Sequence, residues 1–473
     1  MTTGMNFWDF NVWAFLLTIS ELLIAMIVAQ ILRNNIKLIK QTMIPSSVLG
    51  GFLLLLVHWL FKSAFGIEIY KTSTLEILTY HGLGLGFAAL ALRNTPKKTD
   101  GVSKTGAFDS GVTVVNGYLL QAVIGLLITI ILYKAIGSFF ASGIILPMGY
   151  GQGPGQAYNW GHTYEMQHGF EHGTSFGLAI AAMGFVSASV GGVICLNRMK
   201  KNGIFKGEIG QDAVEEYTVD TFTGKNEIPV TESMDKFTIQ VALVFISYTL
   251  AYAVMIGLNK LLDPSGQGAS GIAGTLQGMI WGFQFLFGTV CAILVKTILN
   301  ALMKKGVIKR NYTNNFMQNR ISGFMFDIMV VASIAAIDLS AFKNREFVIP
   351  LTLICIAGAV GTYFYLKFVC KRIFPWYEYE AFLSLYGMQT GTASTGAILL
   401  REIDPKYETQ ASDNMVYHMP WAILFGAPMF LMVGIAPRSL SNALIVLLAC
   451  VGLFAVFNVV LFRKQIFRKK KTK

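Results

Sequence analysis

Two stretches of this sequence combine dense glycine with neutral oxygen and amide side chains. The first reads Gly149-Tyr-Gly-Gln-Gly-Pro-Gly-Gln-Ala-Tyr-Asn-Trp-Gly161 and follows a short apolar run, Phe139–Pro147. The second reads Tyr386-Gly-Met-Gln-Thr-Gly-Thr-Ala-Ser-Thr-Gly396 and follows another, Tyr379–Leu385. Glycine and proline at this density interrupt a helix and leave backbone groups free. Free N–H groups at a helix start favour an anion, and free carbonyls favour Na⁺. Hydroxyl and amide side chains replace a hydration shell at little desolvation cost. The first stretch offers Gly151, Gln152, Gly153, Gly155, Gln156 and Asn159; the second offers Gln389, Thr390, Gly391, Thr392, Ser394 and Thr395. That is the chemistry of binding rather than of catalysis.

Ionisable residues inside apolar runs are the next candidates, because burying one costs a few kcal/mol unless it is paired or wet. Asp327 reads as a sodium ligand or coupling carboxylate, or equally as a buried acid paired with a neighbouring donor. Glu21 reads rather as a paired acid, and Asp338 as a solvated one near a helix end. Arg401 follows the second stretch; it suits a bidentate clamp on a carboxylate or a local pair with Glu402 or Asp404. His162, His168 and His172 with Glu165 lack the order and the one-sided spacing of a zinc site and read as a polar outer loop. His58 and His81 read as packed, hydrogen-bonded residues, and the five cysteines as small apolar packing residues without disulfides or zinc.

The elements that position these residues follow from hydropathy. The chain is 54% apolar and 14% charged with mean hydropathy +0.55, which excludes an ordinary soluble enzyme. Apolar runs of about 20 residues match a hydrocarbon core of about 30 Å. Spans are expected at roughly 12–32, 44–61, 75–92, 108–133, 173–197, 237–258, 273–303, 321–341, 347–369, 415–435 and 440–462. The first reads as a retained anchor rather than a signal peptide.

With the N-terminus outside, 31 of the 38 Lys and Arg residues fall on the cytoplasmic side, which explains the net charge of +12 without a nucleic-acid partner. The basic tail Arg468–Lys471 then lies at anionic headgroups.

A polar stretch, Asn197–Asp235, leaves five spans before it and six after. An odd number of spans inverts the second half relative to the first, as in inverted-repeat transporters. The expected organisation is a first repeat over 1–197 with a re-entrant hairpin at about 137–165, and a cytoplasmic linker over 198–235. A second repeat covers 236–436 with a hairpin at about 375–400, and 437–473 adds a peripheral C-terminal helix and tail. The fold class is thus an all-α polytopic membrane protein of two inverted repeats of five helices, each with a hairpin, plus an extra helix. The first hairpin enters from outside and the second from the cytoplasm; the bland alternative makes both plain glycine-rich loops.

On these residues the chain resembles the bacterial sodium/glutamate symporter family, most strongly at Gly151–Ala157, at Gly391–Ile398 and in the span after each. The family usually reads Gly-Gly-His-Gly-Thr-Gly in the first hairpin. Here Tyr150, Gln152 and Pro154 replace the first Gly, the His and the Thr, and the second motif is loosely kept. The departure bears on the substrate more than on the fold.

The resemblance implies a Na⁺-coupled symporter of an acidic amino acid in the bacterial cytoplasmic membrane, a homodimer moving in an elevator-like manner. It needs no cofactor beyond Na⁺ as coupling ion. Gly153, Gly155, Gln156, Asn159, Gln389, Thr390, Gly391, Thr392, Ser394, Thr395 and Arg401 are then the candidate substrate residues. Gly151, Gln152, Thr395 and Asp327 are the sodium candidates. The alternatives are a Na⁺- or H⁺-coupled carrier of another small anion or amino acid, a channel, and an intramembrane enzyme. Two unlike tips facing opposite ways argue against a channel, and no nucleophile–base or metal set supports an enzyme.

Overall fold

The computed structural model describes residues 6–94, 104–204, 234–264, 266, 271–405 and 409–466. Most of the expected linker and the basic tail Arg468–Lys471 lie outside them. The first part of the chain forms α1 (Phe10–Asn35), α2 (Lys37–Thr42), α3 (Ser46–Phe65), α4 (Thr72–Leu92) and α5 (Lys104–Ile136). Next come α6 (Leu146–Tyr150), α7 (Pro154–His168) and α8 (Gly173–Lys201). The second part forms α9 (Lys236–Leu262), α10 (Gly271–Gly282), α11 (Gln284–Lys304), α12 (Asn315–Ala335) and α13 (Arg345–Ile373). It ends with α14 (Glu378–Thr390), α15 (Ala393–Arg401), α16 (Gln410–Tyr417), α17 (Met419–Ile435) and α18 (Leu440–Leu461).

There is no strand among the described residues, and ten helices are long and apolar enough to cross a membrane: α1, α3, α4, α5, α8, α9, α11, α13, α17 and α18. In a bilayer every backbone polar group needs an internal partner, which helices supply. The protein is a multi-pass helical membrane protein.

Three expected spans differ in detail. The run at 273–303 is two helices, α10 and α11, parted at Phe283, whose N–H reaches both Met279 and Ile280 carbonyls directly after Gly282. The run at 321–341 is α12, which starts earlier, at Asn315, and stops at Ala335; a 3-10 turn follows, Leu339–Lys343, capped by Asp338 through the Ser340 N–H. Asn315, Gln318, Arg320 and Asp327 lower the hydropathy of α12, which is not among the ten. The run at 415–435 is α17 preceded by α16.

The chain forms two compact units, each assembled from several segments. The first comprises residues 1–18, 71–98 and 214–332. Here α4, α9 and α11 pack around Leu85, Ala88, Leu92, Val244 and Ala292. Close packing is set by Gly84, where a Cβ would fall 2.3 Å from a Tyr248 ring carbon. A buried amide network closes one end: Gln240 accepts from the Asn314 N–H at 3.0 Å and from Gln318 Nε2 at 3.0 Å.

The second unit comprises residues 19–70, 99–213 and 333–473. It is organised on α5, against which α13, α17 and α18 pack. The C-terminal helix α18 packs along α5 with one side. It buries Ala443, Val446, Cys450 and Leu461, and Tyr365 on α13 donates to Asn458 Oδ1 at 3.2 Å. Beyond its end Arg463 pairs with Asp109 of α5 at 2.7 Å. Its sequence is uniformly apolar, so the contact side had no periodic signature.

Candidate functional site

Both glycine-rich stretches fold as helix–break–helix hairpins in the second unit. In the first, a 3-10 turn, Ser142–Ile145, leads into α6, and the chain turns over Gly151 to Gly153 into α7. The outgoing leg is buried over 153–161. Gly153 has φ +83° and ψ −177°, a conformation closed to side-chain-bearing residues, and Pro154 then fixes the first helical φ. The hairpin presses onto α5 without side chains between: a Cβ on Gly143 would fall 2.0 Å from the Gly125 oxygen. Tyr150 is fully buried and donates to the Cys355 carbonyl at 2.8 Å. The Tyr118 hydroxyl donates to the Gly151 carbonyl at 3.1 Å.

The second hairpin is α14, the break at Gly391 and Thr392, and α15. Its legs touch through glycine, since a Cβ on Gly387 would fall 2.6 Å from Gly396 Cα. A Cβ on Gly391 would fall 2.8 Å from Thr395 Oγ1, and the Thr392 and Thr395 hydroxyls lie 3.4 Å apart. The incoming leg is buried from Ala381 to Thr390. At the start of the outgoing leg Thr392 is half-buried and Ser394 exposed.

The two tips meet. A Cβ on Gly153 would lie 3.2 Å from Thr392 Cγ2, and these residues are the N-caps of α7 and α15. Neither N-terminus has a side-chain cap, so both present first-turn N–H groups and the positive end of a helix dipole.

Around them stand the middles of three long helices. On α8, a Cβ at Gly184 would fall 2.3 Å from the Thr390 oxygen and 3.1 Å from Tyr150 Cδ1. On α5, Gln121 Nε2 donates to the Gln389 carbonyl at 2.8 Å and to Thr362 Oγ1 of α13 at 3.0 Å. Gly184 is about 16 Å along α8 from its start, at 1.5 Å per residue, so the tips meet beside the middle of that helix.

Most of the expected site residues are gathered here. Gly151 and Gln152 are half-buried; Gly153, Gly155, Gln156, Asn159, Thr390, Gly391 and Thr395 are buried. Gln156, in the first turn of α7, has neither amide atom hydrogen-bonded among the described residues and is 1% exposed. Gln389 reaches away from the tip onto α5, where Nε2 donates to the Thr113 carbonyl at 3.3 Å. Arg401 ends α15, about 12 Å along that helix from the tip. Asp327 is on α12 in the first unit and is exposed there.

His162, Glu165 and His168 are on α7 rather than in a loop, and Glu165 Oε2 accepts the Thr174 N–H at 2.9 Å. Helical continuation past Gly161 is set by backbone contact with α8, where a Cβ on Gly161 would fall 2.3 Å from the Gly173 oxygen.

The sequence reading missed the contribution of α5. Thr113, Gly117 and Gln121 recur every four residues and so share one helix face, and all three touch Gln389. That polar and glycine stripe in an apolar span was the available signal.

An all-helical membrane protein with two interrupted helices whose tips meet beside the middles of long helices has the build of a secondary transporter. The sequence profile of the sodium/glutamate symporter family matches residues 12–263, more than half of the chain. The chain belongs to that family. A search of curated proteins gives no match.

Proposed function

We propose that the protein is a Na⁺-coupled symporter of glutamate or a related acidic amino acid across the bacterial cytoplasmic membrane. The observation that carries this reading is the meeting of two uncapped helix N-termini, at Gly153 and Thr392, beside the Gln156 amide, which has no hydrogen-bond partner among the described residues. Two positive helix ends suit a dicarboxylate. An amide with a free donor and a free acceptor suits a molecule carrying both carboxylate and ammonium.

In this reading the N–H groups of Gly155, Gln156, Ser394 and Thr395 hold the carboxylates, with Gly153, Gly391 and Thr392 allowing close approach. Asn159, Gln389 and Thr390 build the walls behind them. Gly151, Gln152 and Thr395 supply oxygen to a sodium ion, hydroxyl and carbonyl groups replacing its water. Arg401, at the far end of α15, attracts the anion on its way to the tip. Asp327 is the coupling carboxylate and acts in the first unit.

The sequential halves form inverted repeats, the N-terminus lies outside, and transport proceeds by an elevator-like movement in a homodimer. The family match and the opposed hairpins support this arrangement. Proteoliposomes with an inward Na⁺ gradient should accumulate labelled glutamate saturably, with no accumulation when choline replaces Na⁺. Uptake indifferent to Na⁺, or flux without saturation, would sink the reading.

A further inference from the structure

Both hairpins are tied to one turn of α5. Each incoming leg stops just before its tip, and the last carbonyls of a helix have no donor within it. In the first hairpin that carbonyl belongs to Gly151, the C-cap of α6, and it accepts from the Tyr118 hydroxyl at 3.1 Å. In the second it belongs to Gln389, in the last turn of α14, and it accepts from Gln121 Nε2 at 2.8 Å. Tyr118 and Gln121 are three residues apart and so neighbours on the surface of α5.

Both ties are held firmly. The Gln121 atom that faces a backbone carbonyl must be its nitrogen, because a carbonyl only accepts. The same nitrogen donates to Thr362 Oγ1 of α13 at 3.0 Å, so both of its hydrogens are used. Gln389 returns a bond of its own, from Nε2 to the Thr113 carbonyl at 3.3 Å, and its Oε1 rests where a Cβ on Gly117 would stand. Tyr118 is buried, and its ring takes the space of a Cβ on Gly151. Four residues beyond Gln121, Gly125 meets Gly143 of the first hairpin backbone to backbone, with no room for a Cβ on either. Contacts this close leave little slack.

The anchors lie next to the groups they position. Gly151 is two residues before Gly153, the N-cap of α7, and Gln389 is three before Thr392, the N-cap of α15. A chain spans at most about 3.6 Å per residue, so neither cap moves far while its anchor holds. The gap between the two helix N-termini is thus measured off along α5. Such a gap gauges the length of an anion with a carboxylate at each end.

We propose that Tyr118 and Gln121 are positioning residues that set the distance between the two tips, and with it the chain length of the dicarboxylate that the site accepts. This rests on the symport reading. Glutamate and aspartate differ by one methylene between their carboxylates, a difference that a fixed site discriminates by about 10–200-fold. Freed of either anchor, a tip adjusts to both lengths.

The test uses the full chain in proteoliposomes with an inward Na⁺ gradient, and measures kcat/KM for labelled glutamate and for labelled aspartate. The wild type should separate the two by about tenfold or more. Tyr118→Phe, which removes only the hydroxyl, frees the first tip; Gln121→Met, which keeps the length and removes the donor, frees the second. In each the ratio should fall toward one by about three- to tenfold, the worth of one hydrogen bond.

Should Gln121→Met fail to fold, Tyr118→Phe decides alone, since it keeps the ring that packs on Gly151. Variants that carry both acids less well in equal proportion, with the wild-type ratio kept, overturn the gauge and leave the symport reading standing. So does a wild type that carries both acids equally well. A wild type that carries neither overturns the symport reading, and the gauge with it.

Discussion

The two hairpins carry similar sequence but are held in different ways. The first is locked from outside: Gly143 lies on Gly125 of α5, Gly161 on the turn into α8, and Pro154 and a positive φ at Gly153 set the tip. Its outgoing leg α7 has 15 residues, with 153–161 buried. The second closes on itself, Gly387 against Gly396, and its outgoing leg α15 has only 9 residues, with Ala393 and Ser394 exposed at the tip. Close packing without side chains leaves no room for alternatives, whereas a short, half-exposed leg has fewer contacts to give up. In the proposed site the first hairpin would be the fixed wall and the second the side through which a ligand reaches it.

Breaking the fixed wall should have the largest effect. Gly153→Ala places a Cβ at φ +83° and 3.2 Å from Thr392, a strain of about 1–2 kcal/mol. The tip must shift to relieve it. Uptake of labelled glutamate should fall by more than about tenfold, because the substrate groups act only when aligned to a fraction of an ångström. A modest fall in melting temperature should accompany it. Wild-type uptake in this variant would mean that the tip does not need its glycine.

Gln156→Leu separates binding from folding. The side chain is buried with both polar atoms unpartnered among the described residues, so an apolar isostere should leave the melting temperature unchanged or raise it. Glutamate KM should rise about tenfold, as for loss of a hydrogen-bonding group in a buried polar site. A lower melting temperature with unchanged KM would make Gln156 a structural residue.

Much of this arrangement was legible in the sequence. Glycine density marked both breaks within a few residues, and in the first a helix cannot absorb Gly151, Gly153 and Pro154 together without turning. Uniform apolarity marked the long helices, but the same uniformity hid their neighbours. In α18 no polar stripe indicated the side that meets α5, and Asn458 gained its meaning only from Tyr365 across the packing. The break at Phe283 follows one glycine in an apolar run, a weak local signal. The α7 histidines looked like a loop because their polarity suggests exposure, whereas glycine contacts distant in sequence decide that the helix continues.

The central claim is that the meeting tips form the substrate site, and Ser394→Cys tests it most directly. The five native cysteines are buried, while position 394 is exposed at the start of α15. A small membrane-impermeant thiol reagent should label this cysteine, and glutamate with Na⁺ should slow the labelling by about tenfold or more, as expected for a site occluded by its ligand. Glutamate in choline should protect far less. Labelling at the same rate with and without glutamate and Na⁺ would contradict the account and return the second hairpin to the status of a plain loop.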